Sequence, residues 1–270
     1  MAFVQKACAF IKKDFLICRS YKLSFILDWL SMFVVLFSFY FIAQLFNNQT
    51  SPFLHEYGGK YFPFVLLGVA FTGYFTSALR SFSGKIREEQ IIGTLEAILV
   101  TPTRISAALI FMSLLSFILA SINLLAYILC GAYFFGMKLS YNNLFTSFII
   151  LILSIISFSG MGIISASFVM VFKRGDPLIW FMTTLSMIFG GIFFPPTVLP
   201  KGLQAISYFL PITYSLRAIR LSLLQGYSLR ALLPEIIALL AFAAALLPLS
   251  IFFFKCAVNK AKIDGSLTHY

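Results

Sequence analysis

Charged residues that could do chemistry are concentrated in one stretch, residues 87–103, of an otherwise strongly apolar sequence. The stretch reads REEQIIGTLEAILVTPT and holds three of the nine acidic residues, Glu88, Glu89 and Glu96. Arg87 opens it, and Arg104 follows it directly. Charges beside apolar residues can pair across an interface and fix its register. We therefore interpret residues 87–103 as the place where a soluble partner acts on this chain.

Residues typical of catalytic or metal centres are scattered or missing. The cysteines form no CxxC pair and the histidines are isolated: Cys8, Cys18, Cys130, Cys256, His55 and His269. The phosphate-binding pattern G-x-x-x-x-G-K-[ST] is absent, as are HExxH and GxSxG. We therefore expect no catalytic residue, no metal site and no cofactor bound by this chain. The cysteines are interpreted as packing residues and free thiols.

The composition is typical of a membrane protein. Hydrophobic residues make up 60% and charged residues 11% of the 270 residues, and the mean hydropathy is +0.96. A soluble domain has about 25% charged residues, and one soluble core of this length cannot bury so much apolar surface. The net charge is +11, but the basic residues lie in short segments between apolar runs. This pattern indicates membrane topology and anionic lipid rather than a nucleic-acid partner.

The apolar runs predict an all-α membrane protein with six transmembrane helices in a single domain, residues 1–270. Each run is close to the roughly 20 residues that a helix needs to cross a bilayer. The predicted spans are 25–46, 61–81, 105–135, 144–172, 178–194 and 236–254. Residues 1–22 separate apolar from basic positions with helical period, which predicts an amphipathic helix in the membrane interface. Packing of that helix on protein is the alternative.

Residues 195–231 do not fit the pattern of a further span. Prolines punctuate the segment, and only 15 uncharged residues separate Lys201 from Arg217. We interpret it as one or two short helices that dip into the outer leaflet and return. Such backbone is tolerated at membrane depth only against protein or a water-lined cavity. A seven-span alternative would make residues 203–225 a crossing and place the C-terminal tail outside.

Lysine and arginine counts predict the orientation. With six spans and both termini inside, 14 of the 20 basic residues lie in inner segments and 6 in outer ones. Cytoplasmic loops carry the excess of basic residues. We therefore expect both termini in the cytoplasm.

Two stretches resemble the ABC-2 type transporter permeases. The first covers 87–102, with RE at 87–88, GTLE at 93–96 and TP at 101–102. It is similar to the cytoplasmic loop that follows the second span in that family. The second covers 190–226, with GGIFFPP at its start and LPITY at 210–214. It is similar to the family's outer re-entrant region, and the resemblance extends over nearly the whole chain.

The resemblance implies a coupling helix at 86–98 that docks on a separate ATPase subunit. Its residues would be Arg87, Glu88, Glu89, Gly93, Thr94, Leu95, Glu96, Thr101 and Pro102. It also implies an exit-side gate formed by the outer re-entrant helices. The gate residues would be Pro195, Pro196, Pro200, Pro211, Tyr214, Arg217 and Arg220. Arg217 and Arg220 would touch lipid headgroups or an anionic substrate, or would snorkel to the outer interface.

The implied function is that of a permease subunit of an ATP-binding cassette exporter in the cytoplasmic (inner) membrane of a prokaryote. Two copies of this chain, or this chain and a close homologue, would join two ATPase chains that bind ATP and Mg²⁺. The cargo would be amphipathic, drug-like or lipid-linked, as for the drug, antibiotic and nodulation-factor exporters. A polysaccharide or glycolipid exporter is the alternative.

Two other classes of function fit the residues less well. An ion-coupled carrier usually needs carboxylates within the membrane, but Asp28 and Glu235 lie at the ends of their spans. An ATP-independent channel or carrier would transport its substrate in liposomes without any ATPase. A membrane enzyme would need clustered catalytic residues at one interface, and the sequence has none. The apolar spans show too little polar contrast to indicate which faces line a path.

Overall fold

The computed structural model describes residues 22–45, 52–93, 105–172 and 176–263, and every regular element in these ranges is helical. The α-helices are α1 (Lys22–Leu45), α2 (Tyr61–Ile92), α3 (Ile105–Phe135), α4 (Leu144–Phe172), α5 (Pro177–Phe189), α6 (Lys201–Tyr208), α7 (Pro211–Gln225) and α8 (Leu233–Ile263). Short 3₁₀ helices cover Pro52–Tyr57 and Pro196–Val198. The predicted interfacial helix 1–22 lies outside the described residues except for Lys22.

Five described helices are long and apolar enough to cross a membrane, which confirms a multi-pass membrane protein. The crossing segments are Ile26–Leu45, Tyr61–Ile92, Ser113–Phe135, Leu144–Phe172 and Leu233–Ala261. The bounds of α3 and α4 coincide with those of the third and fourth predicted spans.

The predicted fifth span, 178–194, is shorter than a full helical crossing. The helix α5 has 13 residues, about 20 Å, against a hydrocarbon thickness of about 30 Å. It ends at Phe189 because the chain turns at Gly190 and Gly191, and Gly191 has a φ of +81°. Pro195 and Pro196 then prevent the helix from resuming.

The centre of the bundle is formed by α2, α4 and α8, whose backbones approach closely at glycines of α4. A Cβ added at Gly160 would lie 2.7 Å from Cβ of Leu246 in α8. At Gly162 it would lie 2.8 Å from the ring of Phe82 in α2. Small residues allow such contacts between helices in lipid, so these two glycines let α4 pack closely against α8 and α2.

Serines of α4 join it to its neighbours by hydrogen bonds. The hydroxyls of Ser154 and Ser215 lie 2.8 Å apart, and Ser157 Oγ donates to the Leu239 carbonyl at 2.8 Å. These bonds fasten α7 and α8 to α4 where water is excluded and an unpaired hydroxyl would be costly.

The segments 52–60, 136–143 and 190–232 gather at one end of the bundle, which we call the capped face. Asn143 Nδ2 donates to the Gly226 carbonyl at 2.7 Å, and the Ser140 amide donates to the Leu223 carbonyl at 2.8 Å. The opposite face holds the end of α2, the end of α4 and the end of α8. There Phe82, Ile86 and Phe254 belong to a separate apolar cluster.

No single helix covers 203–225, so the seven-span alternative is wrong about a crossing there. The chain forms α6, interrupts it at Phe209 and Leu210, and begins α7 with Pro211 at its first turn. These helices have 8 and 15 residues, fewer than the roughly 20 that a crossing needs.

Candidate functional site along α2

One side of α2 carries small and polar residues and is exposed. This is unusual for the helix, because 67% of the residues in its most apolar part are buried. Gly73, Thr76, Arg80, Gly84 and Arg87 succeed one another at intervals of three or four residues, which places them on one side of a helix. A Cβ added at Gly73 or Gly84 would meet no atom within 4 Å. Lipid tails do not solvate such a surface, so it faces water or another protein. We call these five residues the polar stripe.

The polar stripe borders a cavity of about 510 Å³ between α2 and α5, which we call the polar cavity. From α2 it is lined by Arg80, Arg87, Thr76 and Ser83. From α5 it is lined by Thr183, Thr184 and Trp180. The cavity therefore offers hydrogen-bond donors and positive charge inside a bundle that is otherwise apolar.

Asp176 positions α5 at the edge of this cavity. Its side chain caps the helix by accepting a 3.1 Å hydrogen bond from the Ile179 amide, and Pro177 occupies the first turn. Ser165 Oγ of α4 donates to the same carboxylate. The start of α5 is thus tied to α4.

A second cavity, about 370 Å³ and almost wholly apolar, lies on the other side of α5. Leu178, Met182 and Leu185 of α5 face it, opposite Phe209 and Phe242. The helix α5 therefore separates a polar cavity from an apolar one.

The predicted coupling helix 86–98 is corrected, because residues 86–92 are not a separate helix. They continue α2 without a break from Tyr61, and the helix closes at Gly93, whose φ is +79°. Nothing between Ser81 and Ile86 interrupts the backbone bonding. Thr94, Leu95, Glu96, Thr101 and Pro102 lie outside the described residues.

The last turns of α2 carry charged and exposed apolar side chains together. Lys85 Nζ and Glu88 Oε2 form a 3.0 Å ion pair. Ile91 and Ile92 are 60% and 58% exposed. Glu89 is only 2% exposed, so in this chain it lies inside the bundle rather than on its surface.

Arg220 is the largest fully buried side chain of the capped face, and the lipid, substrate and snorkelling hypotheses for it are wrong. Its guanidinium donates to the carbonyls of Phe64, Gly191 and Ile192 at 3.1, 2.7 and 2.9 Å. Its Cζ lies 3.5 Å from the centroid of the Phe64 ring. The side chain therefore fastens α7 to the start of α2 and to the segment that follows α5.

Arg217, one turn earlier on α7, is half-exposed and lies between two carboxylates. It contacts Glu56 at 2.8 Å and Glu235 at 3.4 Å. These contacts join the 3₁₀ helix before α2 and the first turn of α8 to α7. Arg217 therefore stabilises the capped face, a role that the sequence did not predict.

The prolines assigned to the gate each begin a short element. Pro195 precedes the 3₁₀ helix that Pro196 opens, Pro200 precedes α6, and Pro211 opens α7. A fixed φ suits the first turn of a helix, where the missing amide costs nothing. Tyr214 Oη donates to the Tyr208 carbonyl at 3.2 Å, which holds α6 against α7.

Burial and neighbouring charges shift the pKa of three groups on the capped face. Burial, reinforced by Glu56, raises the pKa of Tyr57 above its ordinary value. Partial burial lowers the pKa of Arg217, but the hydrogen bond and charge of Glu56 and the charge of Glu235 outweigh it, so the net pKa is raised. Burial lowers the pKa of Arg220 to about 9, so the guanidinium stays protonated at neutral pH.

The chain matches one known family over most of its length. The sequence profile of ABC-2 type transporters covers residues 6–224. The chain belongs to the ABC-2 type transporter family. As an ABC-2 protein it is a membrane-embedded permease component of an ABC transporter, and such components are not themselves catalytic. Among curated proteins, no relative matches the chain significantly.

Within this ABC-2 chain, the described residues contain no group of three His, Cys, Asp or Glu side chains that could hold a metal ion. The polar stripe was missed at the level of sequence. Its signal is present in the spacing 73, 76, 80, 84 and 87, but a span described only by its hydropathy conceals it.

Proposed function

We propose that this chain forms half of the transmembrane part of an ATP-driven exporter in a prokaryotic cytoplasmic membrane, with a second copy or a close homologue as the other half. The polar stripe carries the proposal. Its residues Gly73 and Thr76 lie open within the membrane, and Arg80 follows at the boundary, so water or another protein covers this side of α2. A transport path between two subunits supplies such a cover.

The capped face is proposed to be the outer one, with both termini in the cytoplasm. The excess of basic residues in the segments of the opposite face supports this orientation. The exposed charges at the end of α2 then project into the cytoplasm, where an ATPase can reach them.

The sixth crossing is proposed to combine α5 with the non-helical segment 190–195. The helix supplies about 20 Å of a hydrocarbon core of about 30 Å, so the segment has to cover the remaining roughly 10 Å. Non-helical backbone at that depth needs hydrogen-bond partners. Arg220 supplies them by donating to the carbonyls of Gly191 and Ile192.

The cytoplasmic end of α2 is proposed as the contact with the ATPase subunit, two copies of which bind ATP and Mg²⁺ in the complex. The 32 residues of α2 extend about 48 Å, so roughly a third of the helix projects beyond a hydrocarbon core of about 30 Å. Ile91 and Ile92 would seat in the ATPase, and Glu88 would pair across the interface. Movement of the ATPases would then pull directly on the helix that carries the polar stripe.

An amphipathic cargo is supported by the two cavities that α5 separates. A polar group would occupy the polar cavity, while apolar parts would meet the exposed apolar side chains of α5. We propose that the cargo moves out of the cytoplasm.

The deciding experiment is reconstitution of the chain in liposomes with and without its ATPase subunit. Fluorescent amphiphiles of several classes, incorporated in the cytoplasmic leaflet, should move to the other leaflet only when the ATPase and ATP·Mg²⁺ are both present. A catalytically inactive ATPase provides the matched control. Equal movement without the ATPase would contradict the proposal and favour a channel or carrier.

A further inference from the structure

The charge and the hydrogen-bonding groups of the polar cavity favour an anionic ligand. Arg80 and Arg87 line it together with the hydroxyls of Thr76, Thr183 and Thr184. Arginine forms paired, charge-assisted hydrogen bonds with carboxylate and phosphate oxygens. Arg80 is exposed, and none of the described residues places a carboxylate within ion-pair distance of it.

Thr183 adds an independent sign that a ligand is missing. Thr183 is one of the residues that line the cavity, and its Oγ1, which is buried from solvent, has no hydrogen-bond partner among the described residues. Thr72 of α2, by contrast, donates to a carbonyl of its own helix at 2.8 Å. A buried hydroxyl without a partner is costly, and an acceptor bound in the cavity would remove that cost.

The one acidic group of the cavity does not neutralise the arginines. Asp176 accepts hydrogen bonds from Ser165 Oγ and from the Ile179 amide. Its carboxylate is thus engaged in holding the start of α5, and Asp176 lies beyond ion-pair distance of Arg80.

The depth of Arg80 suits a headgroup rather than a fully soluble anion. Arg80 follows Tyr61 by 19 residues of continuous helix, about 28 Å, which is close to the thickness of the hydrocarbon core. Arg80 therefore lies at the membrane boundary of the opposite face, and Arg87 lies about 10 Å beyond it. Trp180 and Phe181 of α5 are 70% and 49% exposed beside the cavity and offer an apolar surface for a chain.

We propose that the polar cavity binds the anionic headgroup, phosphate or carboxylate, of an amphipathic molecule, with Arg80 and Arg87 as its ligands. The apolar chain of the same molecule extends along α5. Binding itself depends only on the cavity, whereas transport of the bound molecule rests on the proposed function.

The test measures binding of three probes with one fluorescent acyl chain to the permease–ATPase complex in phosphatidylcholine nanodiscs. The probes are lysophosphatidic acid, monoacylglycerol and an acyl trimethylammonium, which are anionic, uncharged and cationic. Wild-type protein should prefer the anionic probe, and its affinity for that probe alone should fall with added salt. The variants Arg80→Gln and Arg87→Gln should each weaken it about tenfold, while Arg80→Lys retains part of the preference.

Matched controls separate a built site from general electrostatics. Lys255→Gln removes one exposed positive charge from the same face of the bundle, and Arg230→Gln removes an exposed arginine from the capped face. Both should leave the affinity for lysophosphatidic acid within about twofold of wild type. Equal affinity for all three probes, or equal losses in the Lys255→Gln variant, would overturn the proposal. Thermal unfolding of each variant identifies any loss that is due to misfolding.

A second arm distinguishes cargo from a resident lipid of the inner leaflet. If ATP·Mg²⁺ moves the bound lysophosphatidic acid to the outer leaflet, the anionic amphiphile is cargo. If the probe binds with Arg80-dependent affinity but stays in the inner leaflet, it is a resident lipid. Both results support the anion site. If no probe moves and none binds in an Arg80-dependent manner, the proposed anion site is wrong. That result would leave the exporter function itself open to its own test.

Discussion

The Arg220 guanidinium donates a 2.7 Å hydrogen bond to the carbonyl of Gly191, the residue at which the chain leaves α5 in a left-handed conformation. The bond connects α7 to a segment 29 residues earlier. It satisfies a buried carbonyl of the non-helical segment that follows α5. The positive charge of Arg220 is therefore a structural part of the cap.

Replacing Arg220 by methionine should destabilise the protein strongly. The carbonyls of Gly191 and Ile192, which lie outside any helix, would lose a buried donor, and each such loss costs about 1–3 kcal/mol. We expect a total loss of at least about 3 kcal/mol, measured by thermal unfolding in detergent. Arg230→Met, at an exposed position of the same segment, is the matched control. A change within about 0.5 kcal/mol, as for ordinary surface substitutions, would contradict the structural role.

Replacing a glycine by alanine should lower the stability of the chain in α4 and raise it in α2. Gly162→Ala would press a methyl group against Phe82 and the Ala78 carbonyl, and should cost about 1–3 kcal/mol. Gly84→Ala meets open space and should stabilise the isolated chain by up to about 1 kcal/mol. The same Gly84→Ala change should lower ATP-dependent transport if a second subunit or a cargo covers the polar stripe.

Unfolding midpoints and transport rates of both variants test this contrast. Unchanged transport by Gly84→Ala, with normal assembly of the complex, would place the path away from the polar stripe.

Alkaline pH should destabilise the capped face through Tyr57. Burial, and then the charge of Glu56, raise the pKa of Tyr57 above its ordinary value, so folding favours the neutral phenol. This contribution is complete below the unfolded pKa of about 10 and is lost as the pH rises through the higher folded pKa. The melting temperature of wild type should therefore fall more than that of Tyr57→Phe between about pH 9 and pH 12.

The exposed Tyr133→Phe variant is the control for this measurement, since it should follow wild type. Identical pH dependence of wild type and Tyr57→Phe would show that the phenol of Tyr57 is not what titrates.

The cytoplasmic end of α2 should be sensitive to both charge and apolar contact. Glu88→Lys should abolish the stimulation of ATP hydrolysis by cargo, because it reverses a charge at the proposed interface. Ile91→Asp should do the same by removing an exposed apolar contact from a position that is 60% exposed. Arg230→Glu, a charge reversal on the capped face, should leave the stimulation intact.

ATPase activity of reconstituted complexes and the yield of membrane-inserted protein together test this prediction. Normal stimulation in Glu88→Lys and Ile91→Asp would exclude the end of α2 as the coupling contact.

Hydropathy alone was sufficient to predict the long helices, and least sufficient where the chain departs from regular structure. The bounds of α3 and α4 follow from uncharged runs between turn residues. The predicted second span ends at residue 81, whereas α2 continues to Ile92, because Lys85, Arg87 and Glu88 lower the hydropathy although they favour helix. The length of the fifth helix is overestimated from the sequence, because Gly190 and Gly191 are uncharged and count as part of an apolar run.

The roles of individual charges were the hardest to predict. Arg217 and Arg220 are three residues apart on one helix, yet one is half-exposed between carboxylates and the other is fully buried among carbonyls. The difference depends on the return of segment 190–195 against α7, which is a contact between distant parts of the chain. Sequence spacing within α7 contains no information about it.

Gly68, Gly191 and Arg220 meet at one point although they are far apart in the sequence. A Cβ at Gly68 would collide with the Ile192 carbonyl and would lie 2.6 Å from Nη2 of Arg220. A side chain at Gly191 would be strained by its positive φ. In evolutionary terms the three positions form one unit, because Gly68 admits the segment of Gly191 and Ile192 against α2 and Arg220 bonds that segment in place. Related sequences should therefore retain or replace all three together.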